Sequence, residues 1–163
     1  MSAQDVILGA RAAHVRELRA EVERLKAENA ALREASASLR AHFDLALLAA
    51  ADLRDGGELE VWDGWNLILG SAKEARGRDE LVARAQASGR RVWIVFDGPD
   101  EAVRRVDARV RVSYTGGTGE QRADRLICDF VRMAAFLGLA GRVTVRTHDK
   151  ALLARIRRLG GAG

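Results

Sequence analysis

The chain has 163 residues, of which 48% are hydrophobic and 31% are charged, a balance typical of a globular protein. This length accommodates one ordinary domain and an appendage, but not two full cores. No apolar run reaches the roughly 18 residues of a membrane span, and the chain does not open with a signal-like segment, so we expect a cytoplasmic protein without membrane contact. Its single cysteine, Cys128, excludes an internal disulfide, and no Cys/His spacing typical of zinc sites occurs.

The net charge of +4 comes entirely from the residues after position 44. Residues 1–44 contain seven Lys/Arg and seven Asp/Glu, which leaves twenty basic and sixteen acidic residues in 45–163. An excess of basic residues favours an anionic partner such as nucleic acid. However, a sequence rich in arginine and poor in lysine is also what GC-rich coding produces. The charge therefore permits a nucleic-acid partner without requiring one.

Apolar residues recur with heptad spacing from Val15 onward. The a positions are Val15, Val22, Asn29, Ser36 and Phe43, and the d positions are Leu18, Leu25, Leu32 and Leu39. Leucine at d with valine at a is typical of two parallel strands, and an asparagine at a fixes their register. Two glutamates at g, Glu21 and Glu28, match basic residues at e of a partner helix. We therefore predict a helix within residues 1–55 that forms a homodimer through a parallel coiled coil. The alternatives are an antiparallel pairing and a helix packed on its own domain.

Strand-like and helix-like segments alternate after Gly56 and Gly57, which are expected to end the first helix. The predicted strands are 59–62, 91–96, 110–114 and 142–147, and the predicted helices are 78–88, 119–137 and 150–159. The expected buried face of the long helix comprises Ala123, Ile127, Phe130, Val131, Ala134 and Leu137. This alternation is typical of βαβ units. For residues 58–163 we predict an α/β domain with an open, mainly parallel sheet and helices on both faces.

Aspartates follow three of the four predicted strands. Asp63, Asp97 and Asp149 come at or shortly after a strand end, and Asp124 lies in the first turns of the long helix. Because ligands of open parallel sheets bind beyond the carboxyl ends of the strands, we expect four carboxylates at one edge. Such carboxylates repel one another unless a cation neutralises them, and these oxygen ligands suit Mg²⁺ or Mn²⁺. The alternative is that each aspartate only caps a helix or a turn.

Four short motifs around these aspartates resemble the NYN domain of the PIN-like nucleases. They are Asp63-Gly64-Trp65-Asn66, Phe96-Asp97-Gly98, Ala123-Asp124 and Thr147-His148-Asp149-Lys150, and their order is most similar to the YacP-like branch. The resemblance covers about residues 59–160. It implies a PIN-like fold, metal-site roles for the four aspartates and a ligand- or water-positioning role for Asn66. The implied activity is divalent-metal-dependent cleavage of RNA.

Two features depart from this family pattern. Asp124 is followed by Arg125, where many members carry a second acid, so we expect a lower metal affinity. The family fold usually continues into a further strand after the last helix, whereas this sequence stops at Gly163. Neither feature removes the set of four aspartates.

Three further residues are candidates for nucleic-acid binding. Arg122 and Arg125, near the start of the long helix, are placed to hold phosphates, and Trp65 is placed to stack on a base. The competing interpretations are a solvated helix face for the arginines and a packing role for the tryptophan.

Taken together, these patterns predict a metal-dependent ribonuclease that acts as a dimer. Its predicted catalytic residues are Asp63, Asn66, Asp97, Asp124 and Asp149, and the four aspartates among them are the predicted metal ligands. The alternatives are a catalytically silent RNA-binding or scaffolding module, and a phosphohydrolase that acts on small substrates at the same acidic edge.

Overall fold

A computed structural model describes residues 3–70, 73–116 and 121–163. The chain forms two compact units, Met1–Ala41 and His42–Gly163. Helix α1 runs from Ala3 to Leu53, and a short 3-10 turn, Arg54–Gly56, follows it. Gly56 has a φ of +79°, a conformation that glycine adopts without the steric cost borne by other residues. The predicted glycine stop of the first helix is confirmed.

The apolar heptad residues of the first unit are exposed on the single chain. The residues Val15, Leu18, Val22, Leu25 and Leu32 are 44–63% exposed, while the side chain of Leu39 lies outside the described part. Asn29 Nδ2 donates a hydrogen bond to the Leu25 carbonyl of the same helix at 3.3 Å. Arg24 forms ion pairs with both Glu21 and Glu28. An unpartnered apolar stripe is compatible with a coiled coil, and the pairing itself stays a prediction.

A five-stranded sheet forms the centre of the second unit. Strands β1 (Leu59–Asp63), β2 (Val92–Phe96), β4 (Val110–Thr115) and β5 (Val143–Arg146) are parallel, and β3 (Glu101–Arg105) is antiparallel to β4. The strand order is β3-β4-β2-β1-β5. The predicted α/β class with a mainly parallel sheet is confirmed.

Helices pack on the sheet through two separate hydrophobic cores. One core joins α2 (Gly64–Leu69) and α3 (Arg78–Ala87) to the sheet, and the other joins α4 (Arg122–Phe136), α5 (Lys150–Arg158) and the last turns of α1 to it. Neighbouring residues of β1 show the division, since Val61 belongs to the α4 core and Trp62 to the α2 core. Successive strand residues point to opposite faces, so the helices lie on both faces, as predicted.

One α-helix and one strand are present that the sequence patterns did not predict. The first is α2, where only a turn was expected; Asp63 caps this helix by accepting a bond from the Asn66 N–H. A side chain at Gly64 would clash with the Phe96 ring, so glycine lets α2 pack directly against β2. The second is β3, expected as a charged connection, in which all five residues are exposed.

The ends of two predicted segments differ from the expectation. Helix α4 begins at Arg122, and residues 119 and 120 of its predicted range lie outside the described residues. Leu137, expected on the buried face, follows the helix and is 41% exposed. At the chain end, Ala162 forms a parallel bridge with Thr144 of β5. None of the described helices is long and apolar enough to cross a membrane.

Candidate functional site

Aspartates lie at the carboxyl ends of three adjacent strands. Asp63 is the last residue of β1, Asp97 directly follows β2, and Asp149 comes three residues after β5. Because β1 lies between β2 and β5 in the sheet, these three residues share one edge. Asp124, in the first turn of α4, completes a group that we call the acidic edge: Asp63, Asp97, Asp124 and Asp149.

Asp63 is the most buried member of the acidic edge, with 6% of its surface exposed. Its Oδ2 accepts a bond from the Thr147 hydroxyl at 2.9 Å, and its Oδ1 accepts one from the Asn66 N–H at 3.4 Å. Burial raises the pKa of Asp63 from 3.8 to about 6, against the lowering effect of these two bonds. The charges of Asp124 and Asp149 raise it further. A carboxyl in these surroundings favours its neutral form or a nearby cation.

Asp124 is held by a basic residue of the neighbouring helix. Arg155 of α5 donates a hydrogen bond to Asp124 Oδ2 at 2.7 Å. Burial is the largest cause that raises the pKa of Asp124; Arg155 opposes it, and the charges of Asp149 and Asp97 add to it. Within the acidic edge, the charge of Asp149 therefore acts on both Asp63 and Asp124, and that of Asp97 acts on Asp124.

Each of the other two aspartates also bonds to the backbone. Asp97 Oδ1 accepts from the Ala123 N–H at 2.7 Å and from the Thr115 hydroxyl at 3.0 Å, which ties the end of β2 to the start of α4. Asp149 Oδ1 caps α5 by accepting from the N–H groups of Ala151 and Leu152. The capping roles that were the alternative interpretation are thus present.

Some carboxylate oxygens of the acidic edge take no part in these hydrogen bonds. Among the described residues, Oδ2 of Asp97, Oδ2 of Asp149 and Oδ1 of Asp124 have no hydrogen-bond partner. Carboxylate oxygens of this kind suit Mg²⁺ or Mn²⁺. However, no three His, Cys, Asp or Glu side chains of the described residues lie close enough together to hold a metal ion as they stand. The donor chemistry fits a divalent ion, whereas the side chains are not drawn together around one point.

Asn66 connects the loops that follow β1 and β5. Its Oδ1 accepts a bond from the His148 N–H, and its own N–H donates to Asp63. Its Nδ2 makes no hydrogen bond to the described residues, so this group remains available to a ligand or a water. The predicted positioning role of Asn66 agrees with this arrangement and stays a prediction.

Trp65 packs beside the acidic edge. Its Nε1 donates to the Asp97 carbonyl at 2.8 Å, and its ring meets Phe96 edge-on at 5.3 Å. The Arg78 guanidinium lies 4.9 Å from the centre of the Trp65 ring. These contacts favour packing over base stacking, because a base would have to replace Arg78 on the face that it covers.

The two arginines predicted to hold phosphates occupy different surroundings. Arg122 is half-buried and donates to the Thr115 carbonyl at 3.3 Å, which joins α4 to the end of β4. Arg125, three residues further along α4, is exposed and lines a groove between α4 and α5. Of the two, only Arg125 is placed to contact a ligand that extends beyond the acidic edge.

The sequence patterns assigned no role to three residues whose side chains contact the acidic edge, Thr115, Thr147 and Arg155. Thr147 belongs to the motif Thr147-His148-Asp149-Lys150. A threonine two residues before Asp149 is the sequence signal that could have indicated its hydrogen bond to Asp63. Arg155 had no such signal, because its contact with Asp124 spans 31 residues and depends on how α4 and α5 pack.

Comparison with known proteins does not assign this α/β fold with its acidic edge to a family. No family model matches the chain, and no curated protein or solved structure gives a significant match. The NYN assignment therefore stays a resemblance carried by four motifs.

Proposed function

We propose that this protein is a divalent-metal-dependent ribonuclease that hydrolyses RNA phosphodiester bonds. The observation that carries the proposal is the acidic edge, in which the charges of neighbouring aspartates help to raise the pKa of Asp63 and of Asp124. Placing like charges together costs folding free energy, and a cation that binds them offsets this cost. The four motifs that resemble the NYN domain support the same function.

The topology of the sheet favours a ligand at this position. The chain passes from β1 to β2 and β4 on one side, and then returns to β5 on the other side of β1. The loops after β1 and β5 therefore separate at a topological switch point, where open α/β sheets bind their ligands. Asp63, Thr147 and Asp149 line this point. Strand β5 is an edge strand of the sheet, and Ala162 forms an isolated bridge with it.

Each residue of the acidic edge has a role in the proposed reaction. Asp63 and Asp149 would hold the ion, and Asp97 and Asp124 would complete its surroundings or hold a second one. When bound, Mg²⁺ or Mn²⁺ makes a water nucleophilic and neutralises charge on the phosphate. Asn66 Nδ2 is free to orient that water. Because a water and not the ribose attacks, we expect products with a 5′-phosphate and a 3′-hydroxyl.

We further propose that the protein acts as a homodimer through a parallel coiled coil in the N-terminal helix. The exposed apolar stripe of Val15, Leu18, Val22, Leu25 and Leu32 supports this pairing. A long helix with such a stripe is stabilised when a second stripe covers it.

The cleavage test uses wild-type protein and Asp63→Asn with mixed structured and single-stranded RNAs, in Mn²⁺, Mg²⁺ or EDTA. Loss of one preorganised electrostatic contact lowers rates by about a hundredfold or more, so we expect that loss for Asp63→Asn. The control is Asp79→Asn, an exposed aspartate in the first turn of α3, which should cleave normally. Cleavage that persists in EDTA, or products with a 2′,3′-cyclic phosphate, would contradict the mechanism.

Metal binding is tested separately by thermal unfolding. An ion that binds only the folded state stabilises it by about 2.7 kcal/mol at a hundred times its Kd. Mn²⁺ should therefore raise the melting temperature of the wild type in a concentration-dependent way. The Asp63→Asn/Asp149→Asn double variant should lose this response, and an unchanged Mn²⁺ shift would rule out the metal site.

A second function, a catalytically silent RNA-binding module, is favoured by one observation. Arg155 already neutralises Asp124 in the free chain, as a purely structural ion pair would. RNA binding without any metal-dependent cleavage would support this alternative.

A further inference from the structure

A groove between α4 and α5 is lined mainly by arginines. Its volume is about 490 Å³. The lining residues are Arg125, Cys128, Asp129 and Arg132 of α4, with Arg155, Arg158 and Leu159 at or after α5. Four guanidinium groups and one carboxylate thus surround the same open space.

The charges within the groove are only partly neutralised. Asp129 pairs with Arg132 of its own helix, and Arg158 Nε donates to the Ala154 carbonyl at 3.2 Å. The side chain of Arg125 has no hydrogen-bond or ion-pair partner among the described residues. The groove therefore keeps a net positive charge and several unused N–H donors, which suit a bound anion.

Stabilisation of helix ends explains only two of these arginines, since Arg155 and Arg158 lie in the last turn of α5. At the opposite edge of the sheet, Arg91 donates to the Asp52 carbonyl near the end of α1, and Arg109 donates to the Gly89 carbonyl just after α3. Cations at the carboxyl ends of helices are favourable. Arg125 lies instead in the first turn of α4, where the helix dipole disfavours a cation.

The groove leads directly to the acidic edge. Arg155 lines the groove and also donates to Asp124 Oδ2. An anionic chain held by the groove would therefore have one of its phosphates next to the carboxylates. Positive charge beside an acidic site is what a polyanionic substrate requires, because the acidic edge alone would repel it.

We propose that the α4–α5 groove binds the phosphodiester backbone of an RNA strand and directs it to the acidic edge. The proposal rests on the proposed ribonuclease function and names where its substrate lies. Arg125, Arg132 and Arg158 contact successive phosphates, and Arg155 connects that path to Asp124. Arginines bind phosphates without reading base sequence, so the groove positions RNA of any sequence.

The test measures binding of a fluorescent uridine homopolymer, about twenty nucleotides long, to the full chain in EDTA, where cleavage is absent. The Arg132→Gln/Arg158→Gln variant removes two exposed arginines that do not touch the acidic edge. Each lost phosphate contact on a single strand lowers the slope of log K against log salt by about 0.7. We expect the slope to fall by about 1.4 and the Kd to rise at least about tenfold at low salt.

The matched control is Arg54→Gln/Arg105→Gln, which makes the same charge change in the arginine-lined cavity at the opposite edge of the sheet. It should bind RNA like the wild type. A second groove variant, Arg125→Gln/Arg132→Gln, gives an independent measurement if the first is unstable. Unchanged affinity in both groove variants, or an equal loss in the control, would overturn the proposal.

Cleavage assays in Mn²⁺ separate this proposal from the ribonuclease function. Weaker binding by the groove variants, with no cleavage by the wild type, would keep the groove and reject the nuclease. Cleavage that depends on Asp63, with unaltered binding by the groove variants, would keep the nuclease and reject the groove.

Discussion

Replacing Asp63 by asparagine should stabilise the metal-free protein at neutral and alkaline pH. The carboxyl is buried, and its pKa is raised from 3.8 to about 6. Because the folded-state pKa lies above the unfolded-state one, the proton stabilises the fold. That stability is fully present below about pH 4 and is lost as the pH rises through about 6. Above both values the ionised carboxylate costs folding free energy that asparagine does not.

The size of this effect follows from the shift. An upward shift of about two pKa units corresponds to about 3 kcal/mol at pH 8, and to roughly half of that at pH 5. Asparagine can disturb the bonds from Thr147 and Asn66, each worth about 1 kcal/mol. We therefore expect a net gain of about 1–3 kcal/mol at pH 8, or roughly 3–8 °C in melting temperature.

The assay is thermal or urea unfolding of wild type and Asp63→Asn in EDTA, at pH 8 and at pH 5. The gain should shrink by about 1–1.5 kcal/mol at the lower pH. The control is the same substitution at Asp79, which is exposed. A gain in stability seen for Asp63→Asn but not for Asp79→Asn comes from the buried carboxyl. A variant that is less stable than wild type at pH 8, or whose gain is the same at both pH values, would refute the reasoning.

Two further predictions concern assembly and packing. Light scattering should show a dimer for the full chain and a monomer for Leu25→Lys, and a dimer that survives Leu25→Lys would contradict the coiled coil. Asn29→Val should preserve or raise the stability of the coiled coil while it loosens oligomer specificity. Gly64→Ala should lower the free energy of unfolding by about 1–3 kcal/mol, because the new methyl group clashes with the Phe96 ring. Gly77→Ala is the control, since its added Cβ meets nothing within 4 Å, and equal losses at both glycines would show that the close packing of α2 is not the cause.

Most of the α/β pattern could be predicted because its elements carry their own local signals. All residues of β1 and β2 are buried, and runs such as Val92–Phe96 indicate a central strand before any partner is known. The helix after β4 was found from its apolar face, of which Ile127 and Phe130 are fully buried. Leu137 was included wrongly, because Gly138 adopts a φ of +73° just beyond the helix end.

Strand β3 shows what such signals cannot predict. Its five residues are exposed, so no alternation of apolar and polar side chains marks it. It forms because Glu101–Arg105 pairs with β4 and supplies partners for the backbone groups of that strand. The turn between them did have a signal, since Asp107 accepts bonds from the N–H groups of Arg109 and Val110.

For the candidate site, the sequence alone determined which carboxylates follow strands and would meet at one edge, because parallel strands end on the same side. Only the tertiary structure decided their surroundings. Burial and not sequence position makes Asp63 difficult to ionise, and the packing of α5 against α4 brings Arg155 to Asp124. The same packing creates the arginine groove. These contacts join residues far apart in the chain, and their energies depend on desolvation, which no local pattern records.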